Sequence, residues 1–179
     1  NKNVLIISTS PRKGSNSDLL ADEFLRGAQE AGHKVEKITL RDKQIGFCQG
    51  CLACLNTGRC AIADDANAIV QKMLVADVIV FATPIYYYEM CGQMKTMLDR
   101  SNPLYGSDYR FQDIYLLAAA AEEDNSTMDG AINGLQGWIA CFERAHLAGT
   151  VFGGDVGAAG EIKGHTALQK AHEMGKMIG

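Results

Sequence analysis

Cys48, Cys51, Cys54 and Cys60 are spaced C-x2-C-x2-C-x5-C, so four of the six cysteines fall between positions 48 and 60. Thiolates three residues apart on a loop can wrap a small inorganic cluster. Zinc is a second reading, although three ligands at successive x2 spacings suit a cluster better than the paired spacing of zinc sites. Unligated or redox-active thiols are a third. Cys91 and Cys141 lie in helical patterns and read as small core residues.

A second set of groups fills Ser8-Thr9-Ser10-Pro11-Arg12-Lys13-Gly14-Ser15-Asn16-Ser17. Six short polar side chains surround Arg12 and Lys13 where an apolar strand gives way to a helix. Free backbone N–H groups and the positive end of the helix dipole favour a phosphate there, and Gly14 allows the backbone to approach closely. The run is neither a Walker A loop nor the Gly-rich dinucleotide fingerprint. It holds no cysteine, so it is not a phosphatase nucleophile loop. Ser15 with Asp18 also resembles a capping box, which would explain the loop without any ligand.

The elements that position these groups follow from the apolar pattern. Lys2–Ser8, Asp77–Ala82 and Asp113–Ala121 read as buried strands. His33–Leu40 alternates like a half-exposed strand near a sheet edge, and Leu147–Phe152 is the last strand. Helices are expected over Ser17–Ala31, from Asp64–Asp65 onward, and over Met90–Arg100, Ser126–His146 and Gly164–Ile178. Arg41–Ala63 has no clear period and reads as a long loop carrying the cysteines. Strands alternating with helices imply right-handed parallel units. The expected fold is therefore an α/β, flavodoxin-like doubly wound sheet of five parallel strands, order 2-1-3-4-5, with helices on both faces. Residues 1–179 are expected to form one domain. Ligands bind such sheets at the carboxyl ends of the strands, so Thr9–Asn16, Arg41–Ala63, Thr83–Met90 and Ala121–Asn125 should share one rim.

Composition excludes other classes. At 47% hydrophobic and 21% charged the 179 residues are neither disordered nor fibrous. A net charge of −4 argues against nucleic acid or an anionic membrane as partner. No apolar run approaches a membrane span and no signal-like segment opens the sequence, so a cytoplasmic location is the expectation. The four histidines form no catalytic constellation.

Ser10-Pro11-Arg12-Lys13-Gly14-Ser15-Asn16-Ser17 resembles the phosphate loop of the NAD(P)H-dependent FMN reductases of the flavodoxin-like superfamily. Thr83-Pro84-Ile85-Tyr86-Tyr87-Tyr88, with Lys95 and Asp99-Arg100, resembles the same family's second signature. The cysteine segment followed by Asp64-Asp65 is similar to the branch containing the iron–sulfur flavoproteins. This resemblance implies an FMN-dependent oxidoreductase that takes hydride from NADH or NADPH and passes electrons to a quinone, a flavin or another acceptor. It also implies a homodimer or homotetramer.

Carried onto this chain, the resemblance assigns Ser10, Arg12, Ser15, Asn16 and Ser17 to the FMN phosphate. Thr83, Pro84, Ile85 and Tyr86 are assigned to the isoalloxazine edge with Tyr88 close by, and Ala120 and Ala121 to the opposite side. Asp99-Arg100 is marked as structural or interfacial, and no acid–base side chain is expected to be indispensable. The alternative the resemblance implies is an electron carrier with a [4Fe-4S] cluster on Cys48, Cys51, Cys54 and Cys60.

Overall fold

Alternate side chains of a strand leave on opposite faces, and in Asn3–Ser8 (β1) both faces are apolar. Val4 and Ile6 enter one core, Leu5 and Ile7 the other. The computed structural model describes residues 1–179 and places β1 inside a parallel sheet. Asn16–Glu30 (α1) follows β1, and Lys34–Thr39 (β2) pairs with β1 on the outer side. Next come a short helix at Ala53–Thr57 (α2), Ala66–Val75 (α3) and Val78–Tyr86 (β3), which pairs with the other edge of β1. Glu89–Met90 (β4) folds back on β3 as a two-residue antiparallel hairpin arm. The chain closes with Gly92–Arg100 (α4), Asp113–Ala119 (β5), Asp129–Ile139 (α5), His146–Gly153 (β6) and Thr166–Lys176 (α6).

The strand order is β2-β1-β3-β5-β6, with β4 on β3 alone. The five parallel strands thus keep the order expected from the sequence. One face is covered by α1 and α6 around Leu20, Phe24, Ala167 and Ala171. The other is covered by α3, α4 and α5, with Met73, Met94, Met97 and Leu135 inside. On the first face, α1 and α6 pack backbone to backbone. A Cβ at Gly27 would run into the His172 carbonyl, and one at Gly175 into the Phe24 carbonyl.

Four local expectations are corrected. The helix expected over Ser126–His146 is regular only to Ile139. Cys141 and Phe142 then bond to the carbonyls of Trp138 and Ile139, three residues back, which tightens the chain into a turn. That turn keeps Phe142 buried against Phe111 and Trp138 but leaves Cys141 exposed, not in the core. The third strand continues past Thr83-Pro84 to Tyr86, because Pro84 sits at the sheet end opposite Ala119 and Ile85 is paired by Met90. The cysteine loop contains α2, one turn of helix between left-handed residues Leu52 (φ 60°) and Gly58 (φ 71°). No helix is long and apolar enough to cross a membrane.

Candidate functional site

The first strand-to-helix turn is built by polar groups that are themselves buried. Ser8, Thr9, Ser10, Ser15, Asn16 and Ser17 are all buried, while Arg12 and Lys13 are exposed. Thr9 is pinned to the Ala82 carbonyl of β3 through both its N–H (2.9 Å) and its hydroxyl (2.7 Å). Gly14 adopts φ +64°, turning the chain into α1. The Ser15 hydroxyl caps α1 by accepting the Asp18 N–H at 3.2 Å. The cap is therefore real, but it serves only one first-turn amide. Those of Asn16 and Ser17 have no helical acceptor, and both residues line a pocket.

That pocket has a volume of about 290 Å³ and is lined from four strand ends. Arg12, Ser15, Asn16 and Ser17 form its polar end. Pro84, Ile85 and Tyr86 form one wall, and Ala119, Ala120 and Ala121 the opposite one. The register explains the slot between the walls: Pro84 lies directly beside Ala119 at the sheet end, and alanines leave room that larger residues would fill.

Nine of the twelve residues expected to hold a cofactor line this pocket. The other three stand just outside its lining. Ser10 is buried behind the loop, accepting the Arg12 N–H at 3.2 Å. The Thr83 hydroxyl donates to the Pro84 carbonyl at 2.8 Å and accepts the Cys91 N–H at 3.1 Å, fixing the strand end. Tyr88 projects from the hairpin tip, 62% exposed.

Val156 and Gly157 also line the pocket, and the sequence reading missed them by counting four rim loops and omitting the one after β6. The signal was present, since β6 also ends at the carboxyl rim. This loop is bound to its neighbours. Val156 and Asp155 N–H groups donate to the Ala120 and Glu122 carbonyls at 3.0 Å each. Arg12 donates to the Gly157 carbonyl at 3.0 Å. The Asn16 side chain donates to the Ala158 carbonyl (3.0 Å) and accepts the N–H groups of Gly160 and Ile162. Asn16 thus fastens the last loop to the first, with a single side-chain N–H left over.

The hairpin between β3 and β4 carries backbone strain. Tyr87 (φ 50°) and Tyr88 (φ 62°) occupy both central positions of a two-residue turn, where positive φ is normally given to Asn or Gly. Tyr87 is 100% exposed. The turn is seated on α5, since a Cβ at Gly130 would collide with the Tyr88 carbonyl. Strain of this kind persists where the surrounding structure holds it, and it gathers at functional sites.

The four loop cysteines also converge. Cys48, Cys51, Cys54 and Cys60 line one small cavity of about 40 Å³ together with Arg100 and Asn102. No three His, Cys, Asp or Glu side chains stand close enough together to hold a single metal ion. Thiolates on a cluster bind separate iron atoms and so stand farther apart than ligands of one zinc. Two sulfurs already accept hydrogen bonds, Cys54 from the Asn102 amide at 3.1 Å and Cys48 from the Gly50 N–H at 3.4 Å.

Beneath the cavity, the Arg100 guanidinium is locked in a two-pronged ion pair with Asp64, at 2.7 and 2.9 Å. Burial pushes the Asp64 carboxyl up, but the bonds from Arg100 and from the Gly46 and Ala66 N–H groups outweigh it, and the carboxyl is held below its ordinary range. Asp64 also explains the start of α3, since it accepts the Ala66 N–H at 3.0 Å. Lys95 and Asp99 form the exposed helix-surface pair expected from their spacing, at 2.6 Å.

A larger groove of about 860 Å³ runs along β6 between α5 and α6. Asn125 of the loop after β5 lines it, but none of the expected site residues does.

A doubly wound parallel sheet with a polar pocket at its first strand-to-helix turn is a flavodoxin-like architecture. Residues 2–157 match the NADPH-dependent FMN reductases, and the chain belongs to that family. It is 42% identical over 101 residues to an iron–sulfur flavoprotein of Methanocaldococcus jannaschii, covering 56% of this chain and 52% of that protein. It is 28% identical over 150 residues to an iron–sulfur flavoprotein of Methanosarcina thermophila, covering 83% of this chain and 75% of that one. The chain spans about half the length of several curated relatives it matches, 52% and 43% in two cases. Among solved structures, an NAD(P)H:quinone oxidoreductase from Methanothermobacter marburgensis superposes with a TM-score of 0.74 at 16% identity, over 99% of this chain and 98% of that one. At that identity the likeness speaks for the fold.

Proposed function

We propose that this protein is an FMN-dependent oxidoreductase that takes hydride from NADH or NADPH and delivers electrons to a small-molecule or protein acceptor. The observation that carries the reading is the rim pocket, in which a cationic, amide-rich end meets a narrow apolar slot. FMN has that shape, an anionic phosphate on one end and a flat ring on the other. The Asn16 and Ser17 amides, the Ser15 and Ser17 hydroxyls and Arg12 would hold the phosphate. Pro84, Ile85 and Tyr86 would lie along the ring, with Ala120 and Ala121 on its other side. Bound FMN would supply the hydride and electron chemistry. The chain's own work is to bind the phosphate, orient the ring and keep one wall of it dry. A homodimer or homotetramer is proposed on the family resemblance, with the exposed Tyr87 and Tyr88 near the site.

Purified protein should show flavin absorbance bands that bleach under anaerobic NADH or NADPH. Colourless protein that cannot be reconstituted with FMN would overturn this reading and leave a nucleotide-binding module without redox chemistry.

A second reading is favoured by the four cysteines around one cavity. In it the chain is an iron–sulfur flavoprotein, with a cluster on Cys48, Cys51, Cys54 and Cys60 acting as a one-electron centre. Relatives bearing that name are consistent with it. Broad absorbance near 400 nm (approximate, as for thiolate-bound iron–sulfur groups) with acid-labile sulfide would support it. Iron-free protein after anaerobic purification and reconstitution would overturn it.

A further inference from the structure

Arg100 is the last residue of α4, and its side chain is 0% exposed. A buried guanidinium is costly unless every donor is used. Four of its five N–H groups account for themselves. Nη1 donates to Asp64 at 2.7 Å and to the Gly46 carbonyl at 2.9 Å. Nη2 donates to Asp64 at 2.9 Å and to the Ile62 carbonyl at 3.2 Å. The fifth, on Nε, is buried with no partner, and it is the one buried side-chain polar atom of the chain left so.

Arg100 lines the cavity shared by the four cysteines, and Asp64 first and Cys60 after it hold its pKa above the ordinary arginine value. Both halves of the fork are spent on anchoring: Gly46, Ile62 and Asp64 belong to the two stems of the cysteine loop. The side chain is thereby fixed in place with one N–H unspent, on a residue that borders the cavity of the four cysteines. Asn102, two residues on, repeats the arrangement with its amide donating to Cys54 at 3.1 Å.

Resting on the second reading above, we propose that Arg100 and Asn102 are the hydrogen-bond donors that tune a metal–sulfur cluster held by Cys48, Cys51, Cys54 and Cys60, and that they raise its reduction potential. Reduction adds negative charge to the cluster sulfurs, so an N–H aimed at them stabilises the reduced form more than the oxidised one. Arg100 and Asn102 are positioning residues in this account and ligate nothing themselves.

The test is a potentiometric titration of anaerobically reconstituted protein, followed by absorbance and electron paramagnetic resonance, after iron and sulfide have been quantified. Asn102→Ala removes one donor from a half-buried surface turn. At fixed poise it should lower the ratio of reduced to oxidised cluster about tenfold, a midpoint drop of about 59 mV for one electron. Arg100→Lys keeps the charge and loses the Nε donor, and should shift the midpoint in the same direction. If Arg100→Lys fails to fold by circular dichroism, the Asn102→Ala midpoint decides alone. Variants that fold, carry normal iron and sulfide and keep the wild-type midpoint overturn the inference. Wild-type protein that takes up no iron and sulfide overturns the cluster reading itself, and the inference with it. Metal content and midpoint thus separate the two failures.

Discussion

Replacing Tyr87-Tyr88 by Asn-Gly should stabilise the protein. Both tyrosines sit at positive φ, 50° and 62°, which costs an L-residue about 1–2 kcal/mol each. Asn tolerates the left-handed region better and Gly without steric penalty, so the exchange relieves about 2.5 kcal/mol. Two terms oppose it. Gly adds freedom to the unfolded chain, about 0.5–1 kcal/mol. Tyr88 is 62% exposed, so trimming it forfeits only part of the value of a buried side chain, about 0.5–1 kcal/mol. The net gain is about 1 kcal/mol, or a rise of about 2–4 °C in Tm for a chain of this size. Thermal and urea unfolding of FMN-free protein by circular dichroism would measure it. A Tm that is unchanged or lower would refute the strain argument. FMN affinity measured on the same variant shows what the strain maintains: the pocket walls at Pro84–Tyr86 are untouched, so a large loss would place the Tyr88 ring on the flavin.

Three further outcomes are expected. Ser15→Ala should lower stability by about 1 kcal/mol through the lost helix cap, read by urea unfolding, and should also weaken FMN binding. Gly175→Ala pushes a methyl into the α1 backbone at Phe24 and should destabilise by about 1–3 kcal/mol, read by the same unfolding curve. Lys37 joins β2 to α1 by bonding Asp18 at 2.8 Å and Asp22 at 2.6 Å. Burial lowers its pKa, but those two carboxylates outweigh it and hold it above its usual 10.5. Its contribution is therefore full below pH 10.5 and fades as pH climbs through the raised value. The stability gap between wild type and Lys37→Met should be constant from pH 7 to about 10 and close above that, in thermal melts at each pH.

The sheet was legible because its strands are apolar on both faces and its helices on one. Val4–Ile7 and Val78–Ala82 admit no exposed placement, and that alone fixes them as central strands. The polar end of the rim pocket was legible for a related reason, since a polar loop between a buried strand and a helix leaves first-turn amides without a helical acceptor. What the sequence hid were contacts between distant segments. Nothing local announces that Asn16 would reach the loop at 158–162, or that Val156 and Gly157 would close the pocket. Asp99-Arg100 was marked only as structural or interfacial, with nothing local to say that Arg100 is buried. Its burial depends on Asp64, thirty-six residues earlier, arriving beneath the cysteine loop. The helix expected to run to His146 stops at Ile139, and the turn that follows places Phe142 in the aromatic cluster with Phe111 and Trp138.

The central claim, that the rim pocket holds a flavin by its phosphate, is tested most directly by titrating FMN-free protein with FMN and with riboflavin while following flavin fluorescence. The two ligands share the ring and differ in the group that Arg12, Ser15 and the Asn16 and Ser17 amides would hold. Two charge-assisted hydrogen bonds are worth about 3 kcal/mol or more, so FMN should bind at least about a hundredfold more tightly than riboflavin. Equal affinity for the two, or binding of neither, would contradict the account.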